Sequence, residues 1–148
     1  MVAVALATLS AIRAALKQAL VTGLGTQNQQ ISAYALADPV LPVVWVRLQA
    51  NAPVDYHLAM GPGGGEVQKW KFLIEAYAGA EGDIAAQQNL DDYLSPGPKS
   101  IYQAIVADLT LGGVVKNLHV TGCNAYVEFR RADGTSAIGA NWSVEVYP

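Results

Sequence analysis

The sequence predicts an α+β fold: a mostly antiparallel β-sheet with an N-terminal helix and two central helices packed on one face. Two periodicities and one set of breaks predict it. Apolar residues recur at three- and four-residue steps near the start and twice in the middle of the chain, as a helix face requires. They alternate with a period of two between Trp70 and Tyr77 and again in the last third, as a half-buried strand requires. Glycine, proline and an Asp-Gly pair separate these segments.

Leu6, Leu9, Ile12, Leu16 and Leu20, with Arg13 and Lys17 opposite, predict a helix over about 4–22, stopped by Gly23 and Gly25. A polar connector, Gln27 to Gln30, leads to two strands, Ile31 to Leu36 and Val43 to Gln49, separated by Asp38-Pro39 and Pro42 and read as the start of a meander. Asp55 to Met60 and Val67 to Ala78 then form an antiparallel pair joined by Gly61-Pro62-Gly63-Gly64-Gly65. In the second of these strands Trp70, Phe72, Ile74 and Ala76 share one buried face. Asp83 caps a helix over Ile84 to Leu94, which Ser95-Pro96-Gly97-Pro98 breaks. Ser100 caps a second, with Ile101, Ala104, Ile105 and Leu109 on one side and Gly112-Gly113 at its end. Leu118 to Thr121 is extended, Ala125, Val127 and Phe129 share a face, a turn falls at Ala132 to Thr135, and Trp142, Val144 and Val146 line the closing strand.

At 148 residues the chain suits one domain. Hydrophobic residues make up 52% and charged residues only 14%, against about 25% in ordinary soluble domains. A surface so short of charge exposes neutral and apolar side chains, which mark contacts with other chains, so an oligomer or assembly component is expected. The net charge of −3 and the lack of any basic cluster beyond Arg130-Arg131 argue against a protein that grips nucleic acid. The apolar opening Met1 to Ala7 has no Lys or Arg before it, and it is too short to span a bilayer. It reads as the start of the first helix.

The glycine run at 61–65 is not a phosphate cradle. A P-loop needs Gly-Lys-Ser/Thr opening a helix, and here a strand follows. One cysteine, Cys123, and two histidines, His57 and His119, offer neither a disulfide framework nor metal-ligand spacing. A Cys123 thiolate activated by His119 is the enzymatic alternative. Four residues of extended chain separate the two by more than ~12 Å, so the pair requires a turn, which Gly122 could supply. Asp91 and Asp92 are adjacent on a helix, diverge, and read as a solvated face. A ligand pocket between helices and sheet is a third alternative. No catalytic, cofactor-binding or metal-binding residue is expected.

The order of these elements resembles the tail terminator proteins of long-tailed, non-contractile phages. The resemblance rests on the strand Trp70-Lys71-Phe72-Leu73-Ile74-Glu75-Ala76-Tyr77, the helix Ala85-Ala86-Gln87-Gln88-Asn89-Leu90-Asp91-Asp92-Tyr93-Leu94, the segment Ser100 to Gly113 with its Leu111-Gly112-Gly113 break, and the closing strand Gly139 to Val146. It covers roughly residues 4–147 and includes no catalytic signature. It implies a non-enzymatic virion protein, made in the host cytoplasm, that caps the tail tube at its head-proximal end as a hexameric ring. Its implied partners are copies of itself, the tail tube protein and the head connector, with DNA passing through the lumen unbound. A head–tail adaptor is the neighbouring alternative. In this picture Met60, Gly61, Pro62, Gly63, Gly64, Gly65 and Glu66 form a docking loop that orders against a partner ring. A hairpin tip with no role is the other reading of that loop.

Overall fold

The computed structural model describes residues 7–58 and 66–148. Its elements run α1 (Leu9–Leu24), β1 (Gln30–Ser32), β2 (Val43–Leu48), β3 (Val54–Leu58), β4 (Glu66–Ala80), α2 (Ile84–Leu94), α3 (Ile101–Val106), β5 (Asn117–Arg130) and β6 (Ser136–Tyr147). The α+β class, the mostly antiparallel sheet and the three helices are as the sequence predicts.

Helix α1 starts later than its apolar periodicity suggests. Thr8 is extended, at φ −73° and ψ 156°, and its side chain accepts a hydrogen bond from the Ala11 N–H, so the helix is capped there and begins at Leu9. At the other end α1 runs through Gly23 and stops at Gly25, whose φ of 76° is the left-handed conformation glycine tolerates. Gly23 is a packing residue: a Cβ there would stand 2.5 Å from Ala104 Cβ on α3. Helix α2 has Asp83 as its cap and α3 has Ser100, as expected. Helix α3 ends at Val106, short of Leu109. The Asp108 carboxylate accepts from the N–H groups of Thr110 and Gly112 and from the Thr110 hydroxyl, and so draws the chain into a turn.

The sheet is ordered β1-β2-β4-β6-β5, with β3 also paired to β4. Strand β4, 15 residues long, is its axis. β2 pairs antiparallel with Phe72–Tyr77 and β3 pairs antiparallel with Glu66–Trp70, so the two lie end to end along one side of β4. Where they break, the Lys71 carbonyl accepts from Gln49 N–H (3.0 Å) and the Lys71 N–H donates to the Pro53 carbonyl (2.8 Å), which keeps the ladder satisfied across the interruption. The expected pairing around the glycine run holds, with Leu58 opposite Glu66. Met60 and Gly61 to Gly65 of the expected docking loop lie outside the described residues, and Glu66 opens β4.

Two sheet expectations need correction. The meander from Ile31 shrinks to the three residues Gln30–Ser32, and these pair with β2 in parallel. The chain leaves the ladder because the Ser32 hydroxyl bonds both backbone groups of Tyr34, while Gln30 Oε1 accepts from Val40 N–H across the connector. The extended segments expected from Leu118 to Phe129 are one 14-residue strand, β5, interrupted by register shifts between Val120 and Gly122 and between Ala125 and Val127. Tyr126, at φ 57°, is the extra residue of the second shift. Residues opposite one another in an antiparallel pair share a face, so Ala125 (opposite Ala140) lies on the helix side while Phe129 (opposite Ala137) lies on the other. Ala125, Val127 and Phe129 therefore do not share a face.

The main core lies between helices and sheet. Ile12, Leu16 and Leu20 of α1, Leu90 and Tyr93 of α2 and Ile101 and Ile105 of α3 close on Phe72, Ile74 and Ala76 of β4 and on Trp142, Val144 and Val146 of β6. Strand β4 is expected to bury one face; toward its C-terminal end it buries both. On the far side Trp45, Tyr77 and Phe129 meet with ring centroids 4.9–5.6 Å apart, over Val43 and Ala137. Beneath them lies Glu75, 4% exposed. Its carboxylate accepts from Trp45 Nε1 (2.9 Å) and the Tyr77 hydroxyl (3.0 Å) and faces Arg47 at 3.4 Å. Burial, together with the adjacent Glu75 charge, holds the Tyr77 hydroxyl far above its ordinary pKa, so it remains a donor.

Glu75→Ala is expected to destabilise by about 1–3 kcal/mol for each of the two donors it strands, measured by denaturant unfolding. A Glu75→Ala/Tyr77→Phe double mutant should lose less than the sum of the two single changes. Gly139→Ala is expected to cost about 1–3 kcal/mol by overpacking, because a Cβ there would meet the Ala76 carbonyl and the Tyr77 ring. A neutral result at Gly139 would contradict this account of how β4 and β6 approach.

Candidate functional site

The strongest surface feature lies on the outer flank of the helices. Along α1, Ala11, Ala15, Ala19 and Gly23 recur every fourth residue and so stack on one side of the helix. Opposite them stand Ala104 of α3 and Leu111 and Val114 of the turn that follows. Small side chains on one wall and a turn on the other leave a groove of about 720 Å³, lined almost wholly by apolar atoms. The turn holds its shape through Asp108, whose carboxyl the Gly112 and Thr110 donors keep below the usual carboxylate range, and through Leu111 in the left-handed region at φ 50°. The groove is not the pocket between helices and sheet that the sequence left open. That space is filled by fully buried Ile12, Leu16, Leu20, Phe72 and Ile74. The four-residue alanine spacing is legible in the sequence, but it passes unnoticed when a helix is read for its large apolar residues.

Further apolar side chains stand in solvent: Tyr34, Val40, Tyr56, Ile84, Tyr102 and Tyr126 are each at least half exposed. Tyr102, with Leu94, Val120, Cys123 and Trp142, lines a shallower recess where β5 passes the end of the helix layer. Beyond that recess β5 is exposed from Thr121 to Tyr126. It is the last strand on its side of the sheet.

The other residues singled out from the sequence are scattered. His119 lies opposite Glu145 and Cys123 opposite Trp142. Glu145 alternates with the core residues Val144 and Val146, whereas Trp142 belongs to the core, so His119 and Cys123 point to opposite faces of β5. The register shift at Gly122 does not bring them together. Burial pushes the Cys123 thiol up, which opposes thiolate formation. Asp91 and Asp92 are both exposed; Asp92 faces Lys99 at 3.7 Å, and the Tyr126 hydroxyl reaches Asp91 at 3.5 Å. Arg131 faces Asp133 at 3.7 Å at the turn into β6. Among the described residues no group of three or more His, Cys, Asp or Glu side chains is placed to hold a metal ion.

On the sheet face away from the helices the cations are matched by carboxylates. Lys69 Nζ lies 3.3 Å from both Asp55 and Glu145, and Lys71 Nζ lies 3.3 Å from Asp55. Hydrogen bonds from Lys69 and Lys71 lower the Asp55 pKa, and those to Asp55 and Glu145 raise that of Lys69, so Asp55 and Lys69 both remain ionised near neutrality. Among the described residues that face presents no net basic stripe.

No protein-family model matches the chain, and no curated protein matches it. Among solved structures it is similar to a chain of the "Virion of native gene transfer agent (GTA) particle", at 15% identity and a TM-score of 0.41, over 93% of this chain and 95% of that one. This is a loose likeness in overall shape. No helix among the described residues is long and apolar enough to cross a membrane.

With its thiol pKa raised, Cys123 should be alkylated slowly at pH 7, and the rate should keep climbing past pH ~8.5, the midpoint of an unperturbed thiol. Iodoacetamide labelling followed by mass spectrometry measures this; a rate that levels off below that pH would mean an activated cysteine.

Proposed function

We propose that the chain is a structural component of a phage-like virion that assembles as a ring of its own copies and caps the tail tube, ending its polymerisation and joining it to the head connector. The observation that carries the assembly half of this reading is the long apolar groove between α1 and α3 on a chain with only 14% charged residues. A monomer gains nothing from leaving such a surface wet, and a ring of identical copies covers it by head-to-tail contacts. The position at the tail rests on the resemblance of Trp70–Tyr77, Ala85–Leu94, Ser100–Gly113 and Gly139–Val146 to tail terminators.

Two further features suit a ring through which DNA passes. Paired cations on the outer sheet face leave little to hold phosphate, and the net charge is −3. The segment Met60 to Glu66, which ends on the first residue of β4, is the proposed contact with the tube or connector ring.

Native mass spectrometry of the purified protein, alone and with its tube protein, tests the reading. The expected outcome is a closed ring, hexameric on this proposal, that halts tube growth when added to polymerising tube protein. A strict monomer that leaves tube length unchanged overturns it. Rings that label the connector but leave the tube open would make the protein a head–tail adaptor instead.

A further inference from the structure

We propose that the free edge of β5 takes the β1 edge of a second copy of this chain, strand against strand, so that the sheet runs on from one copy into the next. The inference rests on the self-assembly part of the proposed function and names a contact that links neighbouring copies.

Four observations carry it. First, β1 and β5 are the outer strands of the sheet, and among the described residues each is paired on one side only. Backbone groups on the open side are met by water or by another strand, and edges are ordinarily guarded against the second outcome by Lys or Pro. Val120 to Val127 contains neither, nor any other charged residue, and no charged residue occurs from Gln18 to Ala37 around β1. Second, the directions agree. β1 runs parallel to β2, and the pairs β2–β4, β4–β6 and β6–β5 are all antiparallel, so β5 runs antiparallel to β1. Copies related by rotation about an axis along the strands therefore bring β5 against β1 in an antiparallel ladder, and because each copy offers one edge of each kind the contact is head-to-tail. Third, the lengths agree. The register shifts at Thr121 and Tyr126 leave Gly122 to Ala125 as the regular stretch between them, and β1 is only Gln30–Ser32. The two bulges thus confine pairing to a stretch that a short strand fills. Fourth, the faces agree. Ile31 lies opposite Val44 and Cys123 opposite Trp142, both core residues, so Ile31 and Cys123 stand on the helix side of the sheet. Ile31 is only half-buried in its own copy, and Cys123 lines the recess of about 390 Å³ with Leu94, Tyr102 and Trp142. Ile31 over that recess sets the register: Ile31 faces Cys123, Gln30 faces Asn124 and Ser32 faces Gly122, with no like charges opposed. Backbone hydrogen bonds hold the added strand, and the recess selects its apolar side chain.

Disulfide trapping tests this in the full-length chain. Within one copy β1 and β5 lie four strand spacings apart, about 19 Å, beyond the reach of a disulfide, so any link between them joins two copies. Ile31→Cys is paired with the native Cys123. A second variant, probing the other face of the sheet, combines Gln30→Cys and Asn124→Cys in a Cys123→Ser background, where all three positions are exposed and the core is untouched. Mild oxidation is expected to give a ladder of covalent dimers and higher oligomers on a denaturing gel, with position 31 joined to 123 and position 30 to 124 when the linked peptides are mapped by mass spectrometry. A band that stays monomeric in both variants, or a ladder held only by links between identical positions, overturns the edge pairing. Ala125→Lys, which sets a charge on the exposed stretch of β5, should weaken self-association by at least about tenfold with the circular dichroism of the fold unchanged. Undiminished association overturns the proposal. A ladder from a protein that leaves tube length unchanged would keep the edge pairing and remove the tail-capping role, whereas a ring that halts tube growth without either link would do the reverse, so the two failures are distinct.

Discussion

Everything in this fold is arranged around β4. It pairs with β2 and β3 on one side and β6 on the other, and its residues Phe72, Ile74 and Ala76 are the floor on which the helices rest. A strand with both edges paired and much of both faces covered has no freedom to slip, because a one-residue shift would turn Glu75 and Tyr77 into the helix core and Phe72 and Ile74 away from it. The carboxylate of Glu75 fixes that register further. It is satisfied only where Trp45 Nε1 and the Tyr77 hydroxyl converge on it, and Trp45 stands directly opposite Glu75 on β2. Close approach on the other side requires small residues: Gly139 opposite Tyr77, and Gly79 against Ala86 of α2.

Much of this was legible in the sequence because β4 and the helices obey simple periods. The caps Asp83 and Ser100, the stripe Ile12, Leu16 and Leu20, and the alternation from Trp70 to Ala76 place the elements and most of the core. The failures share a cause. At Thr8, Ser32 and Asp108 a short polar side chain bonds nearby backbone and ends or diverts an element whose apolar pattern would have continued. At Thr121 and Tyr126 an extra residue shifts the phase of β5, and alternation counted along one chain cannot register a phase set by its partner strand. Glu75 was invisible as a buried group for the same reason: its partners come from Trp45, 30 residues away, and from the other face of a strand read as one-sided.

The groove follows from how α1 divides its surface. Its buried residues Ile12, Leu16 and Leu20 point to the sheet, and the adjoining flank carries alanine at four-residue spacing where a solvent-facing helix would carry lysine or glutamate. Alanine favours the helix as strongly as any residue, so intrinsic propensity accounts for its presence in α1. Propensity does not account for its restriction to the flank facing Leu111 and Val114. The low charge of the chain as a whole is this same choice, repeated at Ile84, Val40, Tyr102 and Tyr126. Composition and geometry thus report one property, a surface suited to burial against protein.

The treatment of charge on the opposite face is complementary. Lys69, Lys71 and Arg47 carry the positive charge there, and each is held within 3.4 Å of a carboxylate. The partly exposed pairs of Lys69 and Lys71 contribute little to stability, about 0–1 kcal/mol each. Their larger effect is on the field: alternating charges a few ångströms apart cancel beyond a Debye length of about 8 Å at physiological salt. A polyanion moving past such a face meets neither a sink that would arrest it nor a uniform negative wall that would raise the work of passage. On the proposed reading the two faces of one sheet then divide the labour, the helix side binding protein and the bare side remaining indifferent to the nucleic acid it surrounds.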